Sequence, residues 1–430
     1  MTTTQGPWWR EPNKGQWISF FAAWFGWVMD AFDFTIFLLV MPLITKEFGV
    51  SMTAAAGSIT LTLLVRLLGG VAAGAAADRW GRKLPLMISV VWFALCDGAV
   101  AFAPSFAWVL ALRTLFGFGM GAEWTSGATL AMENWPARSR GIASGVLQGS
   151  WAVGFLLAGV VSAYVTPVWG WRGLFIIAAI PALLVLPIRI WVPESPDWKK
   201  EAQARKEAEK RAAPGTALVS SEMITKLAWA SLVMALGFGV YYALIGLYPT
   251  MLETELGQSP SQRAYFVAMF NIGMMAGAIA CGILASRRGF IVAVAIPALL
   301  ALPVLPFYVG YFPGMLGLGA LLGGAFGAGI SGVTPLLLTS LFPAHIRARA
   351  VGFVYHIGAF AAAFVPTGVA ALAEYTWLSL AQSIAIVAGV CELTLAIAMF
   401  LRPSAVTRAS QSAQLSDATE GAEAAPPVHT

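Results

Sequence analysis

Twelve apolar runs, each about the length that crosses a bilayer as helix, dominate this 430-residue chain. They fall at 17–42, 54–76, 84–103, 106–131, 141–166, 171–192, 224–252, 262–285, 290–310, 312–338, 347–373 and 377–401. Hydrophobic residues make up 58% of the chain, where roughly 45–50% suffices for a soluble protein. In hydrocarbon every backbone polar group needs an internal partner, so runs this apolar are predicted to be helices. A membrane barrel would alternate apolar and polar residues over segments of about ten, and these runs do not. The expected fold is an all-α polytopic membrane protein of twelve transmembrane helices. The N-terminal stretch is polar and runs straight into the first span, expected to be an uncleaved anchor.

Charge is sorted by side. The turns after spans 1, 5 and 7 hold three basic residues, Lys46, Arg172 and Arg263, while most of the other Lys and Arg lie in the alternate turns and at the two ends. The net charge of +5 is therefore a topology signal rather than a nucleic-acid signature. The positive-inside rule predicts a multi-pass protein with both termini cytoplasmic, in a plasma membrane, with the bacterial inner membrane favoured. Cys96, Cys281 and Cys391 all lie inside spans, too scattered for a disulfide framework or a metal site. No cofactor is expected.

The longest break between spans, 193–222, opens Pro193-Glu194-Ser195-Pro196-Asp197-Trp198 and continues as a charged stretch. Glu201 with Arg205 and Glu207 with Arg211 are spaced i,i+4, which predicts a solvated helix ended by Pro214-Gly215. The expected organisation is a segment 1–16, a six-helix bundle 17–192, the linker 193–222, a second bundle 223–402, and a disordered tail 403–430. The bundles repeat one another. Pro42 recurs as Pro249, and Pro136-Ala137-x-x-Arg140-x4-Gly145 as Pro343-Ala344-x-x-Arg347-x4-Gly352, both at an offset of 207. The basic turn Gly74-Ala-Ala-Ala-Asp78-Arg79-Trp80-Gly81-Arg82-Lys83 has a worn copy, Gly282-Ile-Leu-Ala-Ser286-Arg287-Arg288-Gly289, at 208. A shared offset argues for duplication. Parallel repeats of this kind place a substrate site between the halves near the midplane.

Gly74-x3-Asp78-Arg79-x-Gly81-Arg82-Lys83 resembles the most specific signature of the major facilitator superfamily, and Arg113-x3-Gly117-x-Gly119-x-Gly121 resembles its second. Glu133-x-x-Pro136-x3-Arg140-Gly141 and Pro193-Glu194-Ser195-Pro196 look like the cytoplasmic elements of its sugar-porter-type members. The likeness covers residues 15–402 and implies two pseudo-symmetric six-helix bundles. Asp30-Ala31-Phe32-Asp33-Phe34, with Gly145-Val-Leu-Gln148-Gly149, is similar to the sialate/lactate proton symporters. Aromatic-acid symporters carry a related Asp-Gly-x-Asp, but residue 31 is alanine here. Span 7 lacks the polar motif of fungal lactate permeases, which counts against lactate itself.

Ionisable groups at mid-membrane cost roughly 2.5–3.5 kcal/mol each on insertion scales, so they are functional candidates by default. Asp30, Asp33, Arg66, Asp97, Arg113 and Glu123 all lie in the first four spans. The second half has His356 and Glu392 and little else. Asp30 and Asp33 are about 60° apart on one helix. Two carboxylates so close disfavour double ionisation. They and Glu123 are the candidate proton-coupling residues; permanent pairing of the aspartates with Arg66 or Arg113 is the structural alternative. The resemblance implies that spans 1, 4, 7 and 10 line the cavity and that a span 1 aspartate can pair with Arg113. Arg113, Tyr241, Tyr242, Asn271, Gln148 and His356 are the candidate substrate-binding groups, suited to carboxylate or hydroxyl oxygens. Arg66 and Asp97 are expected to form a buried ion pair, and Glu392 to be structural. Asp78, Arg79, Arg82, Glu133, Arg140 and Glu194 read as a cytoplasmic gate of charges at helix ends.

The expected function is proton-coupled uptake of a small organic acid by a functional monomer whose partners are the acid, protons and the bilayer. The acid could be lactate-like, sialate-like, or an acid or lactone of aromatic catabolism. An aromatic-acid or sugar-type symporter is the alternative. Export by antiport is disfavoured because Gly145–Gly159 lacks the proline of the exporters' span 5 motif. A membrane enzyme is disfavoured because no His-rich, Cys-rich or nucleophile motif is present, and a receptor because no soluble domain is.

Overall fold

The computed structural model describes residues 7–50, 52–209 and 220–409. Among these residues the chain is helical throughout and contains no strand. Span 1 is Lys14–Phe48, span 2 Met52–Trp80, span 3 Lys83–Val100 and span 4 Phe106–Asn134. Spans 5 and 6 form one helical run, Arg140–Ile190, turned at Gly170, whose φ of 64° suits a residue without a β-carbon. Span 7 is Ser221–Ile245 and span 8 Pro260–Arg288. Span 9 begins as Phe290–Ala301 and continues to Leu305–Tyr308; span 10 runs from Leu316 to Leu341. Span 11 is split into Arg347–Ala362 and Val365–Tyr375, and span 12 is Leu380–Phe400. Among the described residues ten stretches are long and apolar enough to cross a membrane. One of them, Ala137–Ile180, contains the Gly170 turn and so spans 5 and 6; Phe106–Asn134, which carries three charges, completes the twelve.

Polar caps set where spans begin. Asn13 and Gln16 form a reciprocal capping box at span 1, Ser259 and Gln262 at span 8, and Ser379 and Gln382 at span 12. Each satisfies amide groups that would otherwise be orphaned where the helix enters the bilayer. Part of the expected disordered tail is helical instead: residues 404–409 form a turn with Ala405 and Val406 buried, and 410–430 lie outside the described residues. The linker carries a helix, Pro196–Glu209, as its charge pattern predicts. The side chain of Arg205, the Glu207–Arg211 spacing and Pro214-Gly215 lie outside the described residues.

Helices approach closely where glycine removes the side chain, the packing mode available when lipid supplies no hydrophobic drive. In the first half, β-carbons at Gly117 and Gly121 of span 4 would strike the carbonyls of Thr62 and Arg66 in span 2. In the second, Gly273 and Gly277 of span 8 stand against Leu321 and Ala325 of span 10. The halves meet through crossed pairs related by the repeat. Gly74 of span 2 abuts Ala348 and Arg349 of span 11, and Gly145 of span 5 abuts Ala278 of span 8. Ser144 bridges the halves as well, donating to the Gly332 carbonyl at 2.6 Å and accepting from the Leu336 amide at 3.2 Å.

These contacts seal the face that carries the basic turns. Overpacking a tight contact costs about 1–3 kcal/mol, and at Gly145 the obstacle is backbone that cannot swing aside. Gly145→Leu should therefore hold the halves apart on that face. Spin labels at Arg138→Cys and Arg287→Cys should report a longer distance in the variant; an unchanged distance distribution would refute the closure assigned to this crossing.

Candidate functional site

The sealed face is built on one carboxylate. Asp78, at the end of span 2, accepts hydrogen bonds from the Ala348 and Arg349 amides, at 3.1 and 3.0 Å, at the N-terminus of span 11. Unsatisfied amides and the helix dipole favour an anion at that position. Arg82 lies between Asp78 at 3.3 Å and Glu133 at 3.0 Å, and donates across the halves to the Ala344 carbonyl at 2.8 Å. Glu133 also pairs with Arg347 at 2.8 Å, and Arg347 with Asp197 of the linker at 2.8 Å. Glu194 accepts from the Arg82 amide at 2.9 Å, Ser195 donates to Glu133, and the Trp198 indole donates to the Asp78 carbonyl at 3.0 Å. Arg140 and its repeat Arg347 each donate through Nε to the carbonyl five residues before, Trp135 and Phe342. Arg79 does not join this network: it is exposed and rests over its neighbour Trp80.

A second charged cluster is buried inside the first half. Arg113 bonds Asp97 at 2.9 Å, with its guanidinium 4.6 Å from the Phe37 ring and 4.3 Å from that of Phe116. The Asp33 carboxyl is buried beside that of Asp97, and neither of its oxygens has a hydrogen-bond partner among the described residues. Thr62 ties span 2 to the Arg113 carbonyl at 2.9 Å. Asp30, Asp33, Asp97 and Glu123 are all fully buried. The expected pairing is thus corrected: Asp97 belongs to Arg113 and not to Arg66. Spans 3 and 4 are chain neighbours on this side, whereas the close span 2–span 4 contact directs Arg66 elsewhere.

Arg66 lines a central, partly open cavity of about 800 Å³, open solvent included. The first half contributes Trp27, Arg66, Gln148 and Trp151 to its wall. The second contributes a broader surface that includes Phe238, Tyr241, Tyr242, Ser331, Thr334 and Tyr355. The Arg66 guanidinium lies 5.5 Å from the Trp27 ring and 5.7 Å from that of Tyr355, whose hydroxyl sits beside Gln148 and Arg66. Its Nε and Nη2 are buried and have no hydrogen-bond partner among the described residues. The Trp151 indole donates across the halves to the Tyr241 hydroxyl at 3.0 Å, and Trp124 stacks on Tyr355 with centroids 3.4 Å apart.

Gln148, Tyr241 and Tyr242 stand on the wall, as their sequence positions suggest. Arg113, Asn271 and His356 do not. Arg113 is held in the buried cluster behind it. Asn271 donates to the Val267 carbonyl of its own helix at 2.9 Å. His356 sits behind Tyr355, its Nε2 3.1 Å from the Gly121 carbonyl and 3.2 Å from the Thr125 hydroxyl. Trp27, Arg66, Ser331, Thr334 and Tyr355 are the wall residues that sequence reasoning did not place there. For Arg66 the signal was present, since a mid-membrane arginine needs a polar outlet.

Because Arg113 is paired with Asp97 and both side chains are buried, removing one partner strands charge. Asp97→Leu should destabilise the protein by about 3–5 kcal/mol, while Asp97→Leu with Arg113→Leu should recover much of that loss. Unfolding midpoints in detergent would measure both; equal losses in the two variants would contradict the pairing.

The family profile of the major facilitator superfamily matches residues 23–312. The chain is 31% identical over 387 residues to a probable 4-methylmuconolactone transporter of Cupriavidus pinatubonensis, covering 86% of this chain and 87% of that one. It is 30% identical to a cis,cis-muconate transport protein of Acinetobacter baylyi, covering 83% and 87%, and 28% identical to the sialic acid transporter NanX of Escherichia coli, covering 82% and 86%. Among solved structures the proton:xylose symporter XylE superposes with a TM-score of 0.73 at 19% identity over 90% of this chain and 96% of that one. The duplicated twelve-helix architecture, the Asp78 lock at the head of span 11 and the profile match place this chain in the major facilitator superfamily, among transporters rather than enzymes.

Proposed function

We propose that this protein carries a small organic acid into the cytoplasm together with a proton, and that Arg66 receives the acid's carboxylate. The observation that carries the reading is the guanidinium on the cavity wall with two buried N–H groups left to donate. A carboxylate accepts two parallel bonds from such a fork, and the charge assistance makes each stronger than a neutral bond. The rest of the wall supports a cargo with an apolar, flat body: Trp27, Trp151, Phe238 and Tyr355 offer ring faces, and Tyr241, Tyr242 and Gln148 offer a few polar contacts. The names of the relatives, which include acids and a lactone, agree with that chemistry.

The proton is assigned to the cluster of Asp33, Asp97 and Arg113. One guanidinium balances one carboxylate, so the second is neutral only when it carries a proton. Asp33 lies on span 1 six residues, about 9 Å along the helix axis, from the wall residue Trp27. An anion on Arg66 and a proton on Asp33 cross together with no net charge moved. Charge sorting supports both termini and the Asp78 lock on the cytoplasmic face, so the closed face described above corresponds to a carrier facing outward. Asp30 and Glu123, equally buried, remain further proton-coupling candidates in the same half.

Arg66→Gln should weaken acid binding on the order of 10–100-fold, as expected for the loss of charged hydrogen bonds; binding measured calorimetrically at wild-type affinity would remove Arg66 from the site. In proteoliposomes, an inward proton gradient should drive uptake by the wild type. Asp33→Asn should abolish that response while preserving counterflow exchange of labelled acid. Gradient-driven uptake intact in Asp33→Asn would defeat the assignment.

A further inference from the structure

Glu392, midway along span 12, is fully buried, and both of its carboxyl oxygens lack a hydrogen-bond partner among the described residues. The helices packed on span 12 supply no charge at its level. Span 7 presents Val240 and Leu244, and span 10 presents Gly327, where a β-carbon would stand 3.1 Å from Oε1. Residues 290–307 of span 9, 316–341 of span 10 and 365–373 of span 11 contain no Asp, Glu, Lys, Arg or His. The titratable groups on the surrounding elements are Cys391 beside it, Tyr241 and Tyr242 of span 7, and Tyr308 of span 9. Glu222 and Lys226 lie at the opposite end of span 7; Tyr248, Glu253, Glu255, Glu374 and Tyr375 lie beyond the span ends. A carboxylate left alone in such a medium takes up a proton rather than bear the desolvation of its charge.

Gly327 is also where span 10 changes form. Gly323–Gly327 is wound as π-helix and Ala328–Val333 as 3-10 helix. A π turn holds one residue more than an α turn between bonded groups and a 3-10 turn one fewer. Returning both to α geometry conserves the residue count and turns the backbone between them. Ala328, next to Gly327, lines the cavity, and so does Leu395, three residues or about 4.5 Å along span 12 from Glu392. The carboxyl therefore sits beside the irregular segment of span 10, whose next residue reaches the cavity wall.

We infer that Glu392 is a second proton-binding site, in the half that holds most of the cargo wall, loaded in the conformation described here and opened to the cavity when span 10 rewinds. This rests on the symport reading above and adds a proton to it. The cycle then carries one proton through the first half and one through the second.

Two measurements test it. Dicyclohexylcarbodiimide reacts with protonated carboxyls in apolar surroundings: the carboxyl proton passes to one carbodiimide nitrogen as the carboxyl oxygen bonds the central carbon. Peptide mass spectrometry of the purified wild type should find the adduct on Glu392, decreasing as pH is raised. In proteoliposomes, reversal potentials should show that Glu392→Gln, which mimics the protonated form, moves one proton fewer per acid while binding the acid normally. A coupled wild type whose ratio is unchanged in Glu392→Gln, or absence of the adduct at every pH that supports transport, would overturn the inference. If Glu392→Gln does not fold, the adduct on the wild type decides. Uptake by the wild type that ignores the proton gradient would instead defeat the symport reading.

Discussion

One guanidinium cannot neutralise two carboxylates. In water that imbalance is trivial; in a dry bundle it must be resolved by a proton, by another cation or by expulsion of one group. The first half of this chain resolves it by sealing Arg113 with Asp97 and Asp33 between Phe37 and Phe116. That pairing has a second effect. It takes up Asp97, which would otherwise have been available to Arg66, and Arg66 turns to the cavity between Trp27 and Tyr355. The position of Arg66 on the cavity wall thus follows from where the first half places its carboxylates.

The halves are joined by a lock that duplication built twice and kept in full once. Asp78 caps span 11, and its counterpart Ser286 reaches the equivalent position near Gly141 at the start of span 5, without the charge. The charged side of the lock gathers Arg82, Glu133, Arg347 and the linker residues Glu194, Ser195 and Asp197. The other side relies on close glycine contacts between spans 5 and 8. Both sides must break for the halves to part on this face. The charged side is the one whose strength depends on hydration, because water entering between the halves competes for every one of its ions.

Span positions and the repeat were legible in the chain because both are one-dimensional: an apolar run has a length, and a duplication has an offset. Of the gate candidates, Asp78, Arg82, Glu133 and Glu194 meet in one network because they sit at helix ends, while Arg79, three residues before Arg82, faces outward over Trp80. The cavity wall was harder. Gln148, Tyr241 and Tyr242 line it, but Asn271 faces its own backbone and His356 stands one layer back, behind its neighbour Tyr355. A sequence gives depth in the membrane, and wall membership depends on azimuth, which only helix packing sets. Arg66 shows this most clearly: its burial was foreseeable, while its partner depended on whether span 3 or the cavity lay on its side of span 2.

Among the described residues the cavity wall is unevenly shared, with four residues from the first half and sixteen from the second. The charged cluster around Arg113 belongs wholly to the first. Substitutions that reshape the wall can therefore accumulate in spans 7, 10 and 11 without touching the Arg113 cluster. The two copies of one ancestral bundle thus stand under different constraints: one must keep a closed set of buried charges matched to each other, and the other only a surface of the right shape.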